Sequence, residues 1–201
     1  MTEERYTRRL DEALAFVADA FRGRSRKGSG VPYLAHLLQV MVTVAEHGGD
    51  EDLMIAALLH DYLEDIEGSD IGELRRRFGD RVARIVEALS DSTTHPKPPW
   101  QDRKTLFIAS IAQEPAEVRL VCAADKLHNA RSTCRDLLAQ GEATWSRFRA
   151  TRDQSLWYYR EVTLALGQGW SHPLLTELES QVAVLHEAAG SPSAPDDPTH
   201  G

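Results

Sequence analysis

The segment His60-Asp61-Tyr62-Leu63-Glu64-Asp65 places four ionisable groups within one short stretch. On a helix, Glu64 falls four residues from His60 and three from Asp61, and Asp65 falls four from Asp61. The groups therefore gather at one helix end. The run Ile55-Ala56-Ala57-Leu58-Leu59 leads straight into them and is apolar all round, which marks a central element. Burying such a cluster without a counter-charge is costly, and a divalent metal supplies that charge. The alternative is a charged, solvent-facing helix terminus; the apolar run ahead of it weighs against that.

Two further segments offer similar chemistry. His36 stands among Tyr33, Leu34, Ala35, Leu37 and Leu38, either as a metal ligand or as a hydrogen-bonded core histidine. Asp125 emerges from Leu120-Val121-Cys122-Ala123-Ala124 and needs a partner. Lys126 is expected to face elsewhere, which leaves a metal or a distant arginine. Asn129 and Ser132 share the helix face of Asp125, so the polar stripe reads as a pocket wall. Jointly, His36, His60, Asp61 and Asp125 supply two imidazoles and two carboxylates, a set suited to Mn²⁺ or Fe²⁺ and unlike a Cys-rich structural zinc site.

The elements that position these groups are helical nearly throughout. Apolar periodicity and breakers predict helices over residues 3–22, 32–47 and 51–64. A short helix capped by Asp70, with Glu73 as a box-like partner, ends at Gly79. Further helices are predicted over 80–89, 102–112, 116–140, 145–166 and 174–188. Residues 23–30 form a Gly/Ser-rich loop carrying Arg24, Arg26 and Lys27, which is either a solvated basic turn or an anion site. Residues 90–100 hold Pro96, Pro98 and Pro99 and form a loop. Strand signals are scarce. The expected architecture is one all-α domain over residues 1–189, a helical bundle with a central buried metal site. Residues 190–201 form a tail too polar to bury anything.

Composition narrows the function classes. The chain has 201 residues, 23 Lys plus Arg and 31 Asp plus Glu, for a net charge of −8. A global basic footprint for nucleic acid is absent, while a local basic pocket for a small anion is allowed. No apolar run approaches the ~18 residues of a membrane span, and the first ten residues hold no signal-peptide core. Two cysteines make no disulfide scaffold. These features predict a cytoplasmic setting, without membrane or nucleic-acid partners.

The order of His36, then His60-Asp61, then Asp125 resembles the HD metal-dependent phosphohydrolase superfamily. More narrowly, the chain resembles the hydrolase domain of the RelA/SpoT alarmone enzymes and the stand-alone small alarmone hydrolases of the metazoan type. The resemblance covers residues 10–166. It rests on Arg26-Lys27 with Pro32-Tyr33-Leu34-Ala35-His36, on residues 56–65 ending in His60-Asp61-Tyr62-Leu63-Glu64-Asp65, and on Ala124-Asp125-Lys126-Leu127-His128-Asn129-Ala130-Arg131. It implies an HD-domain helical fold in which His36, His60, Asp61 and Asp125 hold Mn²⁺ and Glu64 and Asp65 activate the attacking water. It implies that Arg26 packs on the base, Lys27 faces phosphate and Asn129 contacts ribose and base. Ser132 stands where the family usually has Thr. Lys104 and Arg131 are further candidates for pyrophosphate contact. Trp145 and one of Trp157, Tyr158 and Tyr159 are candidates to close the pocket, or core aromatics. Two departures from the metazoan type bear on base selectivity: the loop between Lys27 and Pro32 is one residue shorter, and the segment between Gln140 and Ser155 is longer.

The implied activity is Mn²⁺-dependent removal of the 3′-pyrophosphate from a purine alarmone, (p)ppGpp or (p)ppApp, with no synthetase activity. Alternatives are another HD phosphohydrolase (a nucleotidase or an NADPH phosphatase) and a non-catalytic nucleotide sensor. The acidic pair Glu64-Asp65 argues against the sensor, because binding alone does not need it.

Overall fold

Residues 6–92 and 96–190 are described by a computed structural model. The helices run α1 (Arg8–Ala20), α2 (Tyr33–Glu46), α3 (Glu51–Leu59), α4 (Tyr62–Asp65), α5 (Ile71–Phe78), α6 (Asp80–Leu89), α7 (Trp100–Ile111), α8 (Ala116–Gln140), α9 (Arg152–Gly167) and α10 (Pro173–Ala188), with a 3₁₀ segment at Gly141–Arg147. Among the described residues the only extended pairing is a single antiparallel bridge between Ser25 and Pro32. The all-α expectation holds. The expected tail from 190 onward lies almost wholly outside the described residues.

One apolar cluster draws on every helix from Leu10 to Ala189. Its centre is α3 against α2 and α8. Ile55, Ala56, Ala57, Leu58 and Leu59 are fully buried, as are Val121, Ala123 and Ala124. Helix α8, about 37 Å long by its rise per residue, is the spine on which α2, α3, α9 and α10 pack. Asp50 caps α3 by accepting from Leu53 N at 3.0 Å, as its position predicted.

Four boundaries differ from expectation. Helix α1 begins at Arg8, because Thr7 accepts from Arg9 N and stops it there. Asp70 does cap α5, but Glu73 does not close the box: its carboxylate accepts from Tyr62 Oη at 3.0 Å and pairs with Arg77. The helix expected over 145–166 is two elements, since Thr151 and Gln154 form a reciprocal capping box that starts α9 afresh. The helix expected over 51–64 breaks at His60-Asp61. Nδ1 of His60 donates to the Ala57 carbonyl at 2.7 Å, satisfying an acceptor left open at the end of α3. Asp61 then sits at φ −95°, ψ 0°, and its carbonyl opens the single turn of α4.

Candidate metal and phosphate site

The break after α3 makes the site. On a straight helix, adjacent side chains point about 100° apart. Here Asp61 turns back beside its neighbour, and its Oδ2 lies 3.0 Å from His60 Nε2. The same oxygen is 3.5 Å from Nε2 of His36 on α2. Asp125, from the middle of α8, brings Oδ1 to 3.2 Å from His36 Nε2 and 3.5 Å from His60 Nε2. One ligand atom from each of His36, His60 and Asp125 lies within 4.8 Å of the others. All four residues expected to be ligands are thus brought together.

The donor set fits a cation. Nε2 of His36 and Nε2 of His60 are both buried and neither is aligned for a hydrogen bond, although carboxylate oxygens stand close by. With Nδ1 of His60 committed as a donor to Ala57, the Nε2 lone pair and the carboxylates converge as acceptors on shared space. Burial would lower the His60 pKa, but Asp61 and Asp125 outweigh it and hold it well above the usual histidine range. Two imidazoles and two carboxylates facing one space call for positive charge, which a divalent cation supplies. Burial would raise Asp61 and Asp125. The His60 charge and the closeness of both imidazoles hold Asp61 well below the ordinary carboxylate range, and Lys126 with those imidazoles does the same for Asp125.

Lys126 corrects an expectation. It does not face elsewhere: its Nζ donates to Asp125 Oδ2 at 2.5 Å. The same Nζ stands 5.5 Å from the centre of the Phe107 ring and 5.7 Å from that of Tyr158.

Of the acidic pair, Glu64 lines the cavity beside His60 and Asp61. Glu64 and Asp65 both have raised pKa values, chiefly through burial; Lys104 opposes the rise at Glu64, and Asp61 adds to it at Asp65. Lys97 Nζ is 3.0 Å from Glu64 Oε1 and 3.6 Å from Asp65 Oδ1. Lys104 lines the same cavity as His60, Asp61, Glu64 and Asp125. Its Nζ pairs with Asp91 at 2.6 Å and stands 4.7 Å from the centre of the Tyr158 ring. Of the three aromatics proposed as a lid, Tyr158 is the one lining this cavity, as a buried wall. Trp145 is buried against Phe148.

On the α2 side, Tyr33 Oη donates to Asp61 Oδ2 at 2.6 Å. Arg26 lies over the Tyr33 ring at 5.7 Å and donates to Asn129 Oδ1 at 2.7 Å, while Asn129 Nδ2 donates to Asp125 Oδ1 at 2.5 Å. The Arg26 loop is thus tied through the Arg26 and Asn129 side chains to the cluster at Asp125. Lys27 is exposed in that loop, which turns through Gly28 at φ +82°. A Cβ at Gly28 would sit 2.6 Å from Arg147 Cδ, so the glycine admits a close approach of the 3₁₀ segment. Ser132 is half-buried and accepts from Arg135 at 3.2 Å. Arg131 is not brought to the cluster. Its guanidinium pairs with Glu177 of α10 at 3.1 Å and lines a separate groove with Pro173 and Thr176.

Sequence reasoning missed Asp91, Lys97, Arg103 and the role of Tyr33. Asp91 follows the apolar face of α6 by two residues, and its carboxylate, 1 % exposed, pairs with Arg103 as well as Lys104. The adjacent cations Arg103-Lys104 on a helix with a buried face were the available signal.

Comparisons with known proteins identify the family. A family model described as HD domain matches residues 13–154. A human protein named guanosine-3′,5′-bis(diphosphate) 3′-pyrophosphohydrolase MESH1 is 35 % identical over 143 residues, covering 70 % of this chain and 75 % of that protein. The Drosophila melanogaster MESH1 is 31 % identical over 154 residues, covering 75 % and 80 %. A guanosine-3′,5′-bis(diphosphate) 3′-pyrophosphohydrolase of Aquifex aeolicus is 35 % identical over 111 residues, but that match spans only 16 % of its length. A solved structure described as a metazoan ortholog of SpoT that hydrolyzes ppGpp superposes with a TM-score of 0.73 at 25 % identity, covering 89 % of this chain and 96 % of that one. No described helix is long and apolar enough to cross a membrane. The chain belongs to the HD-domain family and, within it, to the group that contains the MESH1 hydrolases.

Proposed function

We propose that the protein hydrolyses the 3′-pyrophosphate of a purine nucleoside 3′,5′-bis(diphosphate), releasing pyrophosphate, with Mn²⁺ held by His36, His60, Asp61 and Asp125. The observation that carries this reading is the convergence of two unpartnered, buried imidazole nitrogens on two carboxylates, beside a second acidic pair and a basic loop. The activity named for the human and Aquifex relatives supports the substrate class.

A divalent ion in this donor set supplies the charge that acidifies a water and polarises a phosphoryl oxygen. Glu64, its pKa raised by burial, takes the proton of the attacking water, and Lys97 holds its Oε1 in place. Asp65 shares Lys97 and orients the same water. Arg26, seated over Tyr33 and tied to Asn129, offers a flat guanidinium to a purine ring, which a lysine does poorly. Lys27, in the exposed loop, and Lys104, in the cavity wall, meet phosphate charge. Asn129 and Ser132 face the sugar. Arg131 takes no part, being held by Glu177.

The test is pyrophosphate release from guanosine 3′,5′-bis(diphosphate) and its adenosine analogue, with Mn²⁺ and with chelator, beside NADPH. Mn²⁺-dependent release from either bis(diphosphate) supports the reading and sets the base preference. Phosphate from NADPH alone keeps the metal site and replaces the substrate. Tight binding of intact substrate in the presence of Mn²⁺ makes the protein a sensor.

A further inference from the structure

His128 stands beside Asn129 on α8 and meets His36 of α2. Its Nδ1 lies 2.7 Å from Nδ1 of His36, with ring centroids 4.7 Å apart and planes tilted by 39°. Two nitrogens at that distance need one proton between them: one donates and the other accepts. Nε2 of His36 points at Asp61 and Asp125 and must keep its lone pair to bind a cation. Its proton therefore sits on Nδ1, and His128 Nδ1 is the acceptor. His60 solves the same problem differently, giving its Nδ1 proton to the Ala57 carbonyl.

We infer that His128 is a positioning residue of the metal centre: it accepts the Nδ1 proton of His36, so selecting the tautomer and ring orientation that direct His36 Nε2 at the cation. This rests on the metal-site reading above. A histidine ligand usually gives that proton to a carboxylate or a carbonyl. A carboxylate at position 128 would add one more negative charge to a cluster that already holds Asp61, Asp125, Glu64 and Asp65. A neutral imidazole orients the ligand without that addition. Because His128 and Asn129 are neighbours, α8 serves both ligand orientation and the Arg26 contact from one turn.

The test is titration of the metal-stripped full chain with MnCl₂ by calorimetry, with melting temperatures taken on the same samples. Four proteins are compared: wild type, His128→Ala, His128→Asn and His36→Ala. The Asn side chain places its Oδ1 near the position of Nδ1 and keeps the acceptor. His128→Ala is expected to weaken Mn²⁺ binding about 10- to 100-fold, the usual scale for such a partner, and His128→Asn to restore most of the affinity. Wild-type affinity in His128→Ala, with binding lost in His36→Ala, overturns the inference and leaves the metal site standing. Equal loss in His128→Ala and His128→Asn also overturns it, because the residue then acts by packing. Absence of Mn²⁺ binding in the wild type overturns the metal-site reading itself.

Discussion

Replacing Asp91 by Asn is the most informative single change, because it alters stability and pH dependence by separate routes. The Asp91 carboxylate is 1 % exposed and pairs with Arg103, 8 % exposed, and Lys104, 16 % exposed. Asn fills nearly the same space, removes the charge and turns one of the two acceptor oxygens into a donor. Breaking a buried pair from one side costs about 3–5 kcal/mol. Glu64 Oε1 is 3.9 Å from Arg103 Nη1 and remains as a second anion, which puts the loss at the lower end, about 3 kcal/mol. For a chain of this size that lowers the melting temperature by about 6–12 °C. Burial would raise the Asp91 pKa, but Lys104 and Arg103 outweigh it and hold it below 3.8. A carboxylate depressed in the fold stabilises above its unfolded pKa, and that contribution disappears as pH falls through the folded value. The stability gap between wild type and Asp91→Asn is therefore full at pH 7 and narrows below about pH 4. Activity shifts as well. Burial is the main cause of the raised Glu64 pKa, with Lys104 opposing it and Asp91 adding to it. Without Asp91 the Glu64 pKa falls, and the acidic limb of kcat/KM moves to lower pH. Denaturant melts from pH 3 to 8 and pH–rate profiles read both effects. A loss below about 1 kcal/mol at pH 7, the scale of an exposed pair, would refute the burial argument, and an unmoved acidic limb would separate Glu64 from the proton transfer.

Glu64→Gln keeps the metal ligands and removes the base, so turnover is expected to fall about 10²–10⁴-fold with Mn²⁺ affinity retained; calorimetry beside steady-state kinetics checks the pair of outcomes. Asp61→Ala removes a carboxylate that faces both imidazoles, and activity and Mn²⁺ binding should disappear together, which activity assays over a range of Mn²⁺ concentrations will show. Gly28→Ala forces a Cβ against Arg147 at positive φ, so KM should rise while kcat and Mn²⁺ affinity stay close to wild type; a fall in kcat alone would contradict a purely substrate-side role for the loop. Thr151→Ala deletes the cap that starts α9 and should cost about 1 kcal/mol in urea melts, with the kinetics unchanged.

The helical architecture was legible because its cause is local. The apolar periodicity of α2, α6, α8 and α10 and the cap at Asp50 are properties of short stretches, and the structure places those elements within a few residues of expectation. The capping box that restarts α9 was equally local: Thr151 and Gln154 stand three residues apart, and a helix drawn straight through them overlooked it. The cluster of His36, His60, Asp61 and Asp125 was legible by residue type and by its emergence from apolar helices, since a buried carboxylate or imidazole demands a partner that the sequence nearby does not contain.

Tertiary structure decided what depends on direction and on distant neighbours. The turn at His60-Asp61 exists because the His60 side chain, rather than the next backbone N–H, satisfies Ala57, and it aims Asp61 at the cluster where a continuous helix would have turned it away. Lys126 reaches Asp125 because a long flexible stem overrides the helical angle between adjacent residues. Asp91, Arg103 and Lys104 act as a unit because the fold brings a carboxylate just past the end of α6 to two cations of α7, and Arg131, promising by its motif, is drawn to Glu177 of α10. Spacing along one helix specifies which residues share a face; which of them meet a charge from another element depends on how the helices pack, and only the folded chain contains that information.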